Sequence, residues 1–168
     1  LCWLPLVKFG QTDGFISASD PYGAYIADIL NRYDDAAGYS YALLDVNGDG
    51  IAELITTQPG CSQMQIFTIR DGTRTLYASD ISYLCQGNIL EQCEESDDSG
   101  RFYAWYRCGA DAPEFIEKIV RDPYTLYWGR VQAGQEGRTV RTEEAQETIH
   151  SYPRQTLNMK PFSEYPFG

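Results

Sequence analysis

Apolar side chains along residues 20–35 recur at steps of three and four residues, which places them on one face of an α-helix. The residues on this face are Tyr22, Tyr25, Ile26, Ile29, Leu30 and Tyr33. Asp20 is the predicted N-cap, because its carboxylate can accept hydrogen bonds from the free amides of the first turn. Pro21 suits the first helical position, and Gly38 ends the segment. We therefore predict an N-terminal helix over residues 20–35.

A second, shorter helix is predicted over residues 142–151. Thr142 is its expected N-cap, and Glu143 and Glu144 follow where the helix dipole favours negative charge. Pro153 ends the segment, because proline cannot continue a helix.

Between Tyr41 and Val140, short runs rich in β-branched and aromatic residues alternate with turn dipeptides, a pattern typical of strands. Asp71-Gly72 predicts a hairpin turn, because glycine accepts the positive φ that such turns require. Further strands are predicted at residues 51–57, 65–70, 73–78, 81–85, 89–93, 102–108, 115–120 and 124–131. Short connections favour antiparallel neighbours. We expect an α+β fold: a mainly antiparallel, twisted β-sheet as a meander over residues 41–140, with an N-terminal helix and a short C-terminal helix.

The length and charge of the chain limit the possible functions. Its 168 residues suit a single domain over residues 1–168. The net charge of −11 repels phosphate backbones, so nucleic acid and anionic membranes are not expected as partners. The sequence contains no apolar run of about 18 residues, so no transmembrane segment is predicted.

The cysteines and the start of the chain bear on the compartment. The five cysteines are odd in number and form no CxxC pair, which argues against zinc; they are Cys2, Cys61, Cys85, Cys93 and Cys108. Two interpretations stay open: buried free thiols, or one or two disulfides in an exported protein. The chain begins without Met, so we expect that it starts inside a longer precursor whose leader has been removed. Together with the acidic composition and the calcium spacing described below, this favours an exported protein, secreted or at the cell surface. Leu1-Cys2 leaves a lipid anchor open, although an N-terminal strand is the favoured interpretation.

Residues 45–53 carry oxygen-bearing side chains at a spacing that suits calcium. Calcium takes six to eight oxygen ligands, and alternate residues of a tight loop can direct their side chains inwards. Gly50 permits the sharp turn that such a loop needs. The predicted metal ligands are Asp45, Asn47, Asp49, the carbonyl group of Ile51, and Glu53. The alternative is a metal-free polar turn, because Asp, Asn and Gly are common in turns of every kind.

The loop differs from an EF-hand, which has a bidentate Glu at its twelfth position. Counted from Asp45, the twelfth residue is Thr56 and the ninth is Glu53. The stretch LLDVNGDGIAELI resembles the calcium loop of FG-GAP repeats, the units of integrin alpha-chain propellers, and the related loop in many bacterial extracellular proteins. In that family an Asp is usual where Glu53 stands. The resemblance implies a strand-loop-strand calcium site, and the order of elements is similar to that of small exported bacterial domains of uncharacterised function.

Aromatic side chains are dense between residues 103 and 128. Such side chains could stack on a sugar, although large aromatic residues more often fill the core of a sheet. The candidate ligand-binding residues are Tyr103, Trp105, Tyr127 and Trp128.

Two further features offer weaker candidate chemistry. An acidic run is interpreted as a solvated turn, with a weak cation site or a glycosidase carboxylate pair as alternatives; its residues are Glu91, Glu94, Glu95, Asp97 and Asp98. His150 is interpreted as a surface helix residue, because no nucleophile motif accompanies it.

Together these patterns predict an exported, calcium-binding, non-catalytic domain, with no catalytic residue and calcium as its cofactor. Its expected role is a binding or interaction module for a glycan, a peptide or a cell-surface protein. The alternative is an extracellular hydrolase that acts on glycans through paired carboxylates.

Overall fold

The structure, a computed structural model, describes residues 20–96 and 100–167. The chain divides into two compact units, Leu1–Ser79 with Leu157–Gly168, and Asp80–Thr156. The single domain predicted over residues 1–168 stays a prediction, since compact units of this kind can belong to one domain or to two. The N-terminal strand and the lipid anchor considered at Leu1-Cys2 lie outside the described residues.

The described residues form two α-helices and eleven strands. The helices are α1 (Pro21–Arg32) and α2 (Thr142–His150), with 3-10 turns at Ala36–Gly38 and Phe162–Glu164. The strands are β1 (Ser40–Leu44), β2 (Glu53–Thr57), β3 (Met64–Arg70), β4 (Thr73–Ile81), β5 (Tyr83–Cys85), β6 (Ile89–Ser96), β7 (Gly100–Cys108), β8 (Pro113–Arg121), β9 (Trp128–Gln132), β10 (Arg138–Val140) and β11 (Lys160–Pro161). The predicted α+β class with antiparallel strands is confirmed, and the strands lie in two sheets.

The first unit packs α1 against a sheet with the strand order β11-β1-β2-β3-β4. Asp20 caps α1 as predicted, because its Oδ1 accepts a hydrogen bond from the Gly23 amide at 3.0 Å. The helix ends at Arg32, three residues before the predicted end. Its apolar face meets aromatic side chains of the sheet and of the C-terminal segment; the core includes Tyr22, Ile26, Ile29, Tyr41, Leu54, Phe67 and Phe162.

The second unit packs α2 against a sheet with the strand order β10-β9-β8-β7-β6-β5. Alternation along the strands puts large side chains on one face, where α2 covers part of them. The core of this unit is Cys85, Tyr103, Trp105, Ile119, Trp128, Val140 and Ala145. The sheet face beside α2 therefore holds three of the four candidate ligand-binding residues.

Two local predictions are wrong. Residues 124–127 belong to the connection before β9 and not to a strand, because Asp122 accepts hydrogen bonds from the amides of Tyr124 and Thr125 at 2.8 and 2.7 Å and closes a turn. The N-cap of α2 is Arg141, so Thr142 is already helical. Within the described residues, no helix has the length and apolar character needed to cross a bilayer.

Candidate functional site

The predicted calcium loop joins β1 to β2 in the first unit. The two strands are antiparallel, and Leu44 lies opposite Glu53 at the end of the pair that the loop closes. Gly48 and Gly50 have φ values of 77° and 86°, a backbone conformation that other residues adopt with strain. These two glycines allow the chain to reverse within the loop.

Asp45 organises the first half of the loop. Its Oδ1 accepts a hydrogen bond from the Gly48 amide at 2.7 Å, and its Oδ2 accepts one from the Gly50 amide at 3.0 Å. Both oxygens of this carboxylate are therefore directed towards the backbone of the loop.

Asn47 and Asp49 organise the second half of the loop in the same manner. The Asn47 Oδ1 accepts from the Asp49 amide at 3.0 Å, and the Asp49 Oδ1 accepts from the Ile51 amide at 2.8 Å. The Asn47 side-chain amide also donates to the Asp49 Oδ2 at 3.2 Å. All three polar side chains of the turn thus bond to groups within the loop.

Glu53 lies at the rear of the loop and is fully buried. Its Oε2 accepts a hydrogen bond from the Val46 amide at 2.8 Å, and its Oε1 accepts one from the Thr68 hydroxyl at 3.0 Å. Burial raises the pKa of this carboxyl group, and the Val46 hydrogen bond opposes that rise. A carboxylate has about four lone-pair positions, so two hydrogen bonds leave acceptor capacity for a metal ion.

Tyr22 connects α1 to the end of this loop. Its hydroxyl lies 3.0 Å from the carbonyl oxygens of both Ala52 and Phe67, to which it donates. Burial, together with the negative charge of Glu53, raises the pKa of Tyr22 to about 12. The phenol therefore acts as a proton donor that fixes the backbone just before Glu53.

The described residues bring no three His, Cys, Asp or Glu side chains together as a metal site. The loop also offers neutral oxygens, the side-chain amide of Asn47 and the carbonyl group of Ile51. Calcium accepts such neutral oxygens as ligands alongside carboxylates. The donor set of the loop is thus the kind that calcium uses.

The aromatic candidates are distributed between core and surface. Tyr103, Trp105 and Trp128 are buried in the second unit, whereas Tyr127 is 69% exposed in the connection before β9. The structure does not bring Tyr127 into the core cluster formed by the other three. Sequence alone could not separate them, because the strand was predicted to begin at residue 124.

A groove of about 630 Å³ lies within the second unit, beside the C-terminal end of α2. Strand residues Glu95, Arg101, Tyr103 and Trp128 line one side of it. The other side is formed by α2 and the residues that follow, including Gln146, His150, Tyr152 and Arg154. Its volume is within the range of small-ligand sites, roughly 300 to 1,000 Å³. His150 is exposed on α2, as predicted, and contributes to this lining.

The carboxylate of Glu95 accepts a hydrogen bond from the Tyr103 hydroxyl at the edge of the groove. Burial and the contact with Glu95 raise the pKa of Tyr103, so its proton stays on the phenol. Glu91 departs from the prediction of a solvated acidic run, because it is buried and paired with Arg154. Asp97 and Asp98 of that run lie outside the described residues.

The cysteines divide between the two interpretations left open by the sequence. Cys61 is disulfide-bonded, whereas Cys85 and Cys93 carry free thiols. Burial, followed by the negative charge of Glu91, raises the pKa of Cys85 to about 12. The Cys85 thiol therefore stays protonated near neutral pH and is a poor nucleophile.

Sequence reasoning named Tyr103 and Trp128 of the groove lining but missed Arg101, Tyr152 and Arg154. Arg101 and Tyr103 share a strand face by simple alternation, which is a signal that the sequence contains. Their approach to Tyr152 and Arg154 depends on tertiary packing and has no local signal. Comparisons with protein-family models, with curated proteins and with solved structures found no match to this chain.

Proposed function

We propose that this chain is an exported, non-catalytic binding module in which calcium stabilises the loop at residues 45–53. The observation that carries the proposal is the arrangement of three side chains in that loop. Asp45, Asn47 and Asp49 each accept hydrogen bonds from loop amides two to five residues further along. These hydrogen bonds hold the three side chains against the turn, and each oxygen keeps a lone pair with which it could coordinate calcium.

The residues that would hold calcium are Asp45, Asn47, Asp49, the Ile51 carbonyl group and Glu53. When bound, the ion supplies two positive charges that offset the repulsion among three carboxylates. The chain itself fixes Glu53 through Val46 and Thr68, and similarity to FG-GAP loops supports the same ligand order. Calcium would thus act as a structural brace for the β1-β2 connection.

Export is part of the proposal, and the disulfide bond at Cys61 supports it. A disulfide suits an oxidising compartment, because the cytosol keeps most thiols reduced. The proposed calcium site agrees with export, since extracellular calcium modules commonly bind with dissociation constants of roughly 10⁻⁴ to 10⁻³ M.

We propose binding rather than hydrolysis because the carboxylates of the second unit are already engaged by other side chains. Among the described residues that line the groove, Glu95 supplies the carboxylate, and it accepts from Tyr103. Glu91 and Glu117 are buried and held by Arg154 and Arg130, each at 2.6 Å. Hydrolysis by a carboxylate pair requires two carboxyl groups, roughly 5 to 9 Å apart, that both reach substrate.

Thermal unfolding in the presence of calcium or of a chelator tests the calcium proposal. We expect the melting temperature to rise with millimolar calcium, because an ion that binds only the folded state stabilises it. Asp49→Asn should reduce this rise. Asp71→Asn removes the same charge from the β3-β4 hairpin turn and should leave the rise unchanged. An equal melting temperature with and without calcium in the unmodified chain would contradict the proposal.

A substrate screen tests the non-catalytic part. The chain should release no product from glycan substrates over the course of the assay. Reproducible turnover that Glu95→Gln abolishes would support the hydrolase alternative instead.

A further inference from the structure

Two arginines lie side by side on one sheet face of the second unit: Arg101, which lines the groove, and Arg121, whose guanidinium lies over the groove-lining ring of Trp128. Arg101 on β7 is directly opposite Arg121 on β8, and Arg121 is directly opposite Trp128 on β9. Residues opposite one another in antiparallel strands have their side chains on the same face. The row Arg101, Arg121 and Trp128 therefore crosses three neighbouring strands.

Like charges placed directly opposite each other destabilise a sheet. Within residues 20–96 and 100–167, neither Arg101 nor Arg121 has an ion pair. The Nε atom of Arg121 is buried and lacks a hydrogen-bond partner in the same part of the chain. The nearest acidic position in the row is Glu95, opposite Arg101, and its carboxylate accepts from Tyr103.

Other arginines of this unit are neutralised by acidic partners. Arg130 contacts Glu117 at 2.6 Å and Glu144 at 3.1 Å, and Arg154 contacts Glu91 at 2.6 Å. Within the part of the chain that the structure describes, Arg101 and Arg121 have no such acidic partner. A planar guanidinium with unused donors is well suited to a carboxylate or sulfate group.

We propose that the groove binds an acidic saccharide, with Arg101 and Arg121 holding its carboxylate or sulfate group. This inference rests on the proposed function of a binding module and names the ligand class of that module. Tyr103, Trp128 and Tyr152 line the groove, and the half-buried ring of Tyr152 provides apolar contact for a sugar ring.

A saccharide fits better than an acidic peptide for two reasons. The groove is lined by side chains of a sheet face, so it offers a peptide no free strand edge with which to pair. Gln146 and His150 on α2 add polar side chains across from the arginines, where they can hydrogen-bond with sugar hydroxyls.

Calorimetric titration with four probes tests the ligand class. The probes are tetragalacturonate, a heparin-derived tetrasaccharide, neutral maltotetraose and tetraglutamate, all in millimolar calcium. We expect at least one acidic saccharide to bind about tenfold or more tightly than maltotetraose, and binding to weaken as salt screens the charges. The two acidic saccharides distinguish a carboxylate from a sulfate ligand. Equal binding of acidic and neutral saccharides, or binding of tetraglutamate alone, overturns the proposal.

Single substitutions test whether the two arginines bind the acidic group of the saccharide. Arg101→Gln and Arg121→Gln should each raise the dissociation constant of the acidic saccharide about tenfold. Lys118→Gln removes one positive charge from the opposite face of the same sheet, because Lys118 on β8 lies opposite Ala104, and it should leave binding unchanged. Gln146→Glu adds a negative charge on the exposed surface of α2 and should weaken acidic binding while preserving the fold. Unchanged affinity in Arg101→Gln and Gln146→Glu overturns the proposal, even where calcium still stabilises the chain and the proposed function stands.

Discussion

The indole ring of Trp105 and the phenol ring of Tyr152 stack with 4.4 Å between their centroids and 13° between their planes. Trp105 lies between Glu91 and Glu117, which are its direct neighbours on β6 and β8. Tyr152 donates its hydroxyl to Glu117 at 2.6 Å, and Arg154 pairs with Glu91 at 2.6 Å. The segment after α2 is therefore fixed to the sheet on both sides of Trp105, which positions one side of the groove.

Tyr152→Phe should lower the free energy of unfolding by about 1 to 2 kcal/mol, because it removes a donor from a buried carboxylate while keeping the ring stack. Tyr152→Leu should lower it further, by roughly 0.5 to 1.5 kcal/mol for the lost aromatic pair. Urea unfolding measures both changes. Tyr124→Phe serves as the control, because Tyr124 is 90% exposed. Equal stability of Tyr152→Phe and Tyr124→Phe would show that the bond to Glu117 contributes nothing.

Arg154 and Glu91 should show a large interaction energy in the free energy of unfolding. Arg154→Met leaves the Glu91 carboxylate buried beside the Cys85 thiol, whose Sγ lies 3.4 Å from Oε2. Breaking a buried ion pair costs roughly 3 to 5 kcal/mol. For Arg154→Met we expect a loss of about 1 to 3 kcal/mol in the free energy of unfolding, because water screens the partly exposed Arg154.

A double-mutant cycle measures this coupling in urea unfolding. Glu91→Gln alone should also destabilise the chain, whereas the double variant with Arg154→Met should recover part of the loss. Additive losses in the double variant would mean that the pair contributes no interaction energy.

Local sequence rules predicted those elements whose determinants are close in the chain. The cap at Asp20 and the hairpin turn at Asp71-Gly72 each depend on neighbouring residues, and both β3 and β4 flank that turn. The connection at residues 124–127 was misread as strand because Tyr124 and Leu126 have strand-like composition. Hydrogen bonds to Asp122 override that composition.

The groove could not be predicted from the sequence, because it depends on which strands are neighbours. Alternation places Arg101 and Tyr103 on one face of β7, but the position of Arg121 opposite Arg101 follows from the register of β8. Register depends on long-range pairing that no local pattern encodes. The predicted calcium ligands are local by contrast, since all five lie within nine residues, and calcium binding there stays a prediction; the burial of Glu53 is what the structure adds.

Tyr22→Phe should weaken the proposed calcium site without changing any of its ligands. The variant loses the hydroxyl that holds the backbone at Ala52, so the loop gains freedom that calcium must then remove. We expect a loss of about 1 kcal/mol in stability without calcium, and a higher calcium dissociation constant by calorimetry.

Tyr41→Phe is the matched control for this variant. It removes a comparable hydrogen bond elsewhere in the first unit, which the Tyr41 hydroxyl donates to the carbonyl oxygen of Glu164 at 3.1 Å. Both variants should lose stability, but only Tyr22→Phe should alter calcium affinity. If the two variants had the same calcium affinity, the Tyr22 hydroxyl would have no specific effect on the calcium site.

The raised pKa of Glu53 predicts a dependence of stability on pH. Burial is the main cause of the rise, so the folded chain binds this proton more tightly than the unfolded chain does. The contribution of the proton to stability is fully present below the unfolded pKa of about 4.3 and is lost as the pH rises through the folded pKa. Calcium has the opposite dependence, because it binds the ionised carboxylate.

Urea unfolding of the unmodified chain and of Glu53→Gln, from about pH 4 to pH 7, measures this effect. Without calcium, the unmodified chain should lose stability relative to Glu53→Gln as the pH rises through the folded pKa, because only the carboxyl group ionises. With calcium, the stabilisation of the unmodified chain should grow over the same interval, while Glu53→Gln should gain less from calcium at every pH. Glu136→Gln, an exposed site in the second unit, should show neither change. A constant difference between the two chains across this range would mean that Glu53 does not titrate in the fold.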